Sequence, residues 1–204
     1  MFDRYPGLFY FRSKGPKGAK LDFYLVPLHL KAMDEGHKRR SMASAILGAA
    51  IRKMIDQEVA DADWIVGGDF NAALASRDFQ PLMDKGMTAI SAEDEARGAF
   101  SYLKRPRSLI DHVFLSSNLT RTYGPKDYYI VAQDRNFPGF AKDLSDHRPV
   151  VARLSLGSGR KQRPSDELDS GALRELKESL RIGSTVPARV DGRQARPTGA
   201  RTVR

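Results

Sequence analysis

Four polar clusters along the chain carry side chains able to work on a phosphate: His29, the pair Asp69 and Asn71, the pair Asp111 and His112, and the pair Asp146 and His147. The second is the most telling. It closes the stretch Trp64-Ile65-Val66-Gly67-Gly68-Asp69-Phe70-Asn71-Ala72, where an apolar run of β propensity meets two glycines that let the backbone turn or approach a neighbour. In an extended chain, positions i and i+2 point to one side, so Asp69 and Asn71 would share a pocket at the strand's end. A carboxylate there can take a proton from water or hold a cation, and a neutral amide can donate to a phosphate oxygen. Asp and Asn also end strands as ordinary turn residues, and the pair by itself does not separate the two readings.

Asp111 is harder to set aside, because it lies in the apolar run LIDHVFL. A buried carboxylate without a partner costs several kcal/mol. The expected partner is His147, just before the last strand, since an Asp–His pair fixes the tautomer and orientation of the ring. His112 adjoins Asp111 and points to the opposite face, so it reads as a surface histidine. His29 has the same plain alternative beside the bend at Pro27. Lys31, Arg105, Arg107 and Arg148 can extend a phosphate-binding surface, although each alone reads better as a solvated cation.

The elements that would position these groups follow from hydrophobic periodicity. Residues 4–12 and 21–28 read as strands across the Gly/Lys turn SKGPKGAK, with Pro27 suited to an edge or a strand end. A helix is expected over 38–60, since Ala43, Leu47, Ala50, Ile51, Met54 and Ile55 form one apolar stripe. The Trp64 strand follows, so residues 21–70 read as strand, helix, strand, a unit that implies a sheet covered by helices. Residues 76–84 suggest a short helix capped by Ser76 and limited by Pro81. Residues 87–103 suggest loop and a short strand, and 139–145 a loop. Further strands are expected over 109–116, 128–132 and 150–156, the last alternating Val150, Ala152 and Leu154 against Val151, Arg153 and Ser155. After Gly157 the composition changes to a linker, an amphipathic helix over 165–182 capped by Ser165, and a Gly-, Pro- and Arg-rich end expected to be disordered. The chain therefore divides into a domain, 1–156, and an appendage, 157–204.

Composition narrows the chemistry. Cysteine is absent, so any metal must be held by oxygen and imidazole, which favours Mg²⁺, Ca²⁺ or Mn²⁺. The net charge of +9 suggests a polyanionic partner, and it is densest in residues 157–204, with 11 Lys/Arg against 6 Asp/Glu. No apolar run reaches membrane-spanning length, and the start MFDRYPGLFYF lacks the form of a signal peptide. The location stays open, with cytoplasm as the default.

The order His29-Leu30-Lys31, Gly68-Asp69-Phe70-Asn71, Ile110-Asp111-His112, Ser145-Asp146-His147-Arg148-Pro149-Val150 resembles the endonuclease/exonuclease/phosphatase superfamily. GDFN and SDHRPV are its most specific signatures, and the resemblance spans residues 4–156. It implies an α/β sandwich of the deoxyribonuclease I-like type, with two mainly antiparallel sheets and helices outside. It also implies Mg²⁺- or Mn²⁺-dependent phosphodiester hydrolysis. By resemblance Asp69 orients and deprotonates water or holds the metal, Asn71 bonds the scissile phosphate and Asp146 binds or faces the cation. His147, held by Asp111, contacts the phosphate, as does His29 in some members, and Lys31 and Arg148 extend the substrate surface. The basic tail and the KRPR stretch at 104–107 point to nucleic acid, with other polyanions as alternatives. A phospholipid or phosphomonoester substrate uses the same chemistry, but apolar loops in its favour are modest, such as Phe137-Pro138-Gly139-Phe140, which also reads as ordinary loop packing.

The sequence departs from the pattern at its beginning. The superfamily has an earlier strand ending in Asn and a metal-binding Glu ahead of the region matching 4–12, and no Glu here stands in that context. Three expectations follow: an N-terminally truncated piece of a longer enzyme, from which a leader could also have been lost; self-association or a partner chain that completes the sheets; or a remnant that binds phosphate-bearing ligands without cleaving them. The retained Asp69, Asn71, Asp111, Asp146 and His147 favour the first.

Overall fold

The strand–helix–strand unit forms because the apolar side chains of its two strands and of the helix between them fit one another. The structure is a computed structural model that describes residue 2 and residues 4–14, 20–58, 62–121 and 127–154. Strands β1 (Phe9–Lys14) and β2 (Lys20–His29) pair antiparallel, helix α1 (His37–Asp56) crosses over, and β3 (Trp64–Asp69) returns parallel to β2. Helix α2 (Gln80–Met83), β4 (Met87–Ala89), α3 (Ala92–Ala96), β5 (Asp111–Ser116) and α4 (Ser117–Thr120) follow. The described chain ends with β6 (Tyr128–Ile130), α5 (Phe140–Asp143) and β7 (Val150–Ala152).

The strands build a five-stranded sheet in the order β1-β2-β3-β5-β4 and a two-stranded antiparallel sheet, β6-β7. This is the expected mixed α/β arrangement, with one parallel pair at its centre. On one face Tyr24, Val26, Trp64, Val66 and Phe114 pack beneath the α1 stripe of Ala43, Leu47, Ala50, Ile51 and Met54. On the other, Ile65, Val113 and Leu115 meet Tyr128, Ile130, Val150 and Ala152 of the small sheet. Burial of each large side chain stabilises by about 1.5–3 kcal/mol, so these two layers fix which sheet edge lies near which loop. Phe9 and Phe11, on edge strand β1, remain exposed. Pro27 lies beyond Leu25, where the pairing with β1 ends, so its missing N–H disrupts no ladder on that side.

Several boundaries differ from expectation. The first strand begins at Phe9 rather than at residue 4. Helix α1 stops at Asp56, because Glu58 adopts a left-handed backbone (φ 55°) just past the end. Ser76 caps no α-helix: it ends a 3-10 turn, and its hydroxyl accepts the Asp78 backbone N–H at 3.3 Å. The helix begins later, with Pro81 in its first turn where an N–H is not needed. Residues 87–103 contain helix α3, and 139–145 contain α5. Asp111 is the first residue of its strand rather than an interior one. The expected helix over 165–182, the disordered end and the boundary at 156 lie outside the described residues.

Candidate active site

Three neighbouring strands end in a row of polar side chains. Parallel pairing sets His29 of β2 beside Asp69 of β3, and antiparallel pairing sets Asp69 beside Asp111 of β5. Cross-strand partners share a face, here the face toward the small sheet, with Leu25, Ile65 and Val113 along the same alternation. Gly68 makes the close approach possible: at φ 141°, an added Cβ would lie 2.1 Å from the Leu28 carbonyl oxygen. Phe70 N–H donates to the Ile110 carbonyl at 2.8 Å, and Leu30 N–H donates to the Asp69 carbonyl at 2.9 Å, extending the clamp past the strand ends.

His147 enters the row from the segment before β7. Its Nδ1–H donates to Asp111 Oδ2 at 2.8 Å, so the pairing inferred from the apolar run is present in the fold. That bond leaves Nε2 directed at Asp69 Oδ2, 3.9 Å away, while Nε2 of His29 lies 3.6 Å from the same oxygen. Both gaps exceed a direct hydrogen bond, and a water lying to one side of them has reach to both the imidazole and the carboxylate. His29 Nδ1 accepts from Arg4 at 2.5 Å, which places its proton on Nε2. Asp111 is itself held: its N–H donates to Ser101 Oγ at 3.2 Å and its carbonyl accepts the Tyr128 hydroxyl at 2.8 Å. Burial holds that phenol protonated, above its ordinary range.

Asp69 is the electrostatic centre. Burial raises its pKa above the usual carboxylate value, the Asn71 backbone N–H opposes this, Asp111 adds to it, and His147 and His29 draw it down. A carboxylate poised this way accepts a proton from water more readily than a fully solvated one. Asn71 reaches Asp69 by a route other than the extended spacing expected for it. The strand ends at Asp69, and Asn71 takes a left-handed backbone (φ 54°) from which its N–H donates to Asp69 Oδ1 at 2.8 Å. Its amide group donates to Asp69 Oδ2 at 3.1 Å and to the Leu30 carbonyl at 3.0 Å. Both amide protons are thereby engaged, so Asn71 here orients Asp69 rather than offering a donor outward.

Other expected residues fall elsewhere. Asp146 stands outside the Asp69–Asp111–His147 group: its carboxylate accepts from Lys104 Nζ at 2.7 Å, and that bond lowers its pKa. Arg148 presents no guanidinium to a substrate. Its Nε and Nη2 donate to Asp134 at 2.7 and 2.9 Å and its plane covers Phe100 at 4.0 Å, leaving it 8% exposed. Its N–H donates to the Ser101 carbonyl at 2.7 Å, so Arg148 locks the segment carrying His147. Lys31 lies two residues past the end of β2 and is half-buried. His112 is not on the surface. It is fully buried, bonded to Ser91 Oγ at 2.8 Å and to the Ala72 carbonyl at 3.0 Å, with Phe70, Phe79 and Phe114 around it. Its alternation with Ile110 and Phe114 along the strand was the available signal. Nothing in the local sequence marked Ser101, Tyr102, Tyr128 or Asp134 as supports.

Among the described residues, Asp69, Asp111 and His147 offer ligand atoms within 4.8 Å of one another. Two carboxylates and one imidazole fit a divalent cation whose remaining positions are filled by water. The described residues include no helix long and apolar enough to cross a membrane.

A sequence profile described as the Endonuclease/Exonuclease/phosphatase family matches residues 38–147, more than half of the chain. The chain belongs to that family, which is one of phosphate-ester hydrolases. It is similar to the human Nocturnin catalytic domain with bound sulfate, at 17% identity and a TM-score of 0.43 over 70% of this chain and 49% of that one. It is similar to D. rerio TDP2 complexed with a single-strand DNA product, at 18% identity and a TM-score of 0.43 over 67% and 56%. Beta toxin from Staphylococcus aureus aligns at 13% identity and a TM-score of 0.43 over 74% and 57%. The chain spans about half the length of these structures. No curated protein matches it.

Proposed function

We propose that this site hydrolyses phosphodiesters with a divalent cation, Mg²⁺ or Mn²⁺, and that its substrate is nucleic acid. The observation that carries the reading is the convergence of His29, Asp69, Asp111 and His147 on one sheet end. Asp69, held by Asn71, orients a water and takes its proton. His147, fixed through Nδ1 by Asp111, directs Nε2 at a phosphate oxygen and stabilises the charge that gathers there. His29 supports the same phosphate from the opposite side. A cation held by Asp69 and Asp111 would neutralise charge on the equatorial oxygens. The excess of Lys and Arg over the whole chain favours a polyanionic substrate over an isolated phosphate group.

Plasmid DNA, RNA and sphingomyelin assayed side by side with Mg²⁺, Mn²⁺ or EDTA test this. Nucleic acid should be cut in a metal-dependent way, and Asp69→Asn should lower the rate roughly 10³-fold. Cleavage of lipid alone would replace the substrate assignment. A second reading, binding of phosphate-bearing ligands without cleavage, draws support from Lys104, whose ammonium already sits on Asp146. Calorimetric titration with Mg²⁺ separates the two, since a site with no affinity for the cation fits only the second.

A further inference from the structure

The loop over 100–108 is laced to the segment that carries His147. Tyr102 bridges antiparallel to Ser108 and also to His147, and its ring lies 5.2 Å from the His147 ring. The Leu103 N–H donates to the Asp146 carbonyl at 2.8 Å, and the Arg148 N–H donates to the Ser101 carbonyl at 2.7 Å. Main-chain bonds therefore set where the loop's tip stands relative to the imidazole. That tip is Lys104-Arg105-Pro106-Arg107, four exposed residues of which three are cations.

The charges around the loop do not cancel. Asp146 engages Lys104 and Asp134 engages Arg148. Arg105 and Arg107 have no carboxylate among the ion pairs of the described residues. Arg107 sets its guanidinium over the Phe100 ring, 4.8 Å from the centroid, which orders the side chain while the residue stays exposed. A lone phosphate group would be served by His29, Asp69 and His147 without this tip. Cations beside that cluster, but beyond it, have a use only for a ligand that continues past the reacting phosphate.

We propose that the 104–107 tip is a backbone track on which Arg105 and Arg107 hold phosphates flanking the scissile one, so that the site takes a chain of phosphodiesters and not an isolated ester. This rests on the hydrolytic reading of the site. The track reads charge and spacing and carries no base preference, as phosphate contacts generally do.

Binding of a fluorescently labelled single-stranded DNA to the full chain, followed by anisotropy in EDTA over a range of NaCl, tests the track without turnover. The Arg105→Gln/Arg107→Gln double variant should bind roughly tenfold more weakly, with the slope of log affinity against log salt reduced by about 1.4. Arg105→Lys/Arg107→Lys should keep the parental slope. Residues 157–204 are present in all three proteins, so their contribution drops out of the difference. Both positions are exposed, and matching melting temperatures would show that the variants are folded. Parental affinity and slope in the Gln variant would overturn the track. The parent's cleavage of the same DNA with Mn²⁺ is read separately. A parent that binds through the tip but cuts nothing would remove the proposed reaction and leave the track supported.

Discussion

Asp111 with His147 and Asp78 with His37 are the same two groups in different settings. In the first, the imidazole gives Nδ1–H to the carboxylate and keeps Nε2 for whatever lies near Asp69. In the second, Asp78 is fully buried and its oxygens are taken by His37 and by Arg40, whose Nε lies 2.5 Å away and whose own exposure is 5%. Arg40 also donates to the carbonyls of Lys31 and Met33, at 2.8 and 2.7 Å. That second cluster joins α1, the segment after β2 and the segment before α2 into one unit, and its charges are mutually satisfied. What separates the two arrangements is thus what else the carboxylate meets. The Arg40 guanidinium closes the Asp78 cluster, whereas at Asp111 the imidazole carries the interaction on through its second nitrogen.

The sharpest way to break this contrast is to neutralise each aspartate. Asp78→Asn leaves the Arg40 guanidinium buried without its counter-charge, and breaking such a pair costs about 3–5 kcal/mol. Urea unfolding should show a loss of that size, with turnover per folded molecule within a few-fold of the parent. Asp111→Asn should do the reverse. His147 loses the charged, acceptor-only partner that fixes its tautomer and orientation, since an amide can turn an N–H toward Nδ1 instead. Turnover should fall about 10²-fold, equivalent to about 2.7 kcal/mol of barrier. Its unfolding midpoint should stay near the parent's. Exchanged outcomes, with activity lost at Asp78 and stability lost at Asp111, would end the division into a structural and a reactive pair.

The two pairs also differ in how visible they were beforehand. Asp111 stands in an apolar run, where burial of a carboxylate demands a partner, so the strand pattern alone pointed to His147. Asp78 stands in SRDFQPLMD and Arg40 in HKRR, and nothing in either stretch marks its charge as buried. Their burial depends on a 3-10 turn and loop packing, which have no period to read. The strand–helix–strand core was legible because its apolar spacing is regular, and strand ends then carried His29, Asp69 and Asp111 to one row. Asn71, Asp146 and Arg148 departed from expectation for a common reason. Each lies in a loop, where the hydrogen bonds made after folding, to Asp69, Lys104 and Asp134, decide what the side chain faces.

His112 supplies the finest test, because it sits in the same strand as Asp111 and one residue on, yet faces the opposite core. Burial lowers its pKa below the ordinary value of 6.5, against smaller opposing contributions from the Ala72 carbonyl, Glu95 and Asp111. A neutral ring is what the site requires: Nε2–H donates to Ala72 and Nδ1 accepts from Ser91 Oγ–H. The sign follows directly. At pH above the unfolded value His112 is neutral in both states and adds no pH dependence. As pH falls below it, the unfolded chain takes up a proton that the folded chain refuses, so stability declines until the folded pKa is reached. His112→Gln removes that proton and keeps a donor for Ala72. Between about pH 7.5 and about pH 5.5 the parent should therefore lose about 1 kcal/mol more stability than the variant. The other histidines are common to both proteins and do not enter the difference. Equal losses would mean that the ring is protonated in the folded state, and the neutral wedge between Ser91 and Ala72 would have to be abandoned, along with its contrast to His147, whose Nε2 faces Asp69.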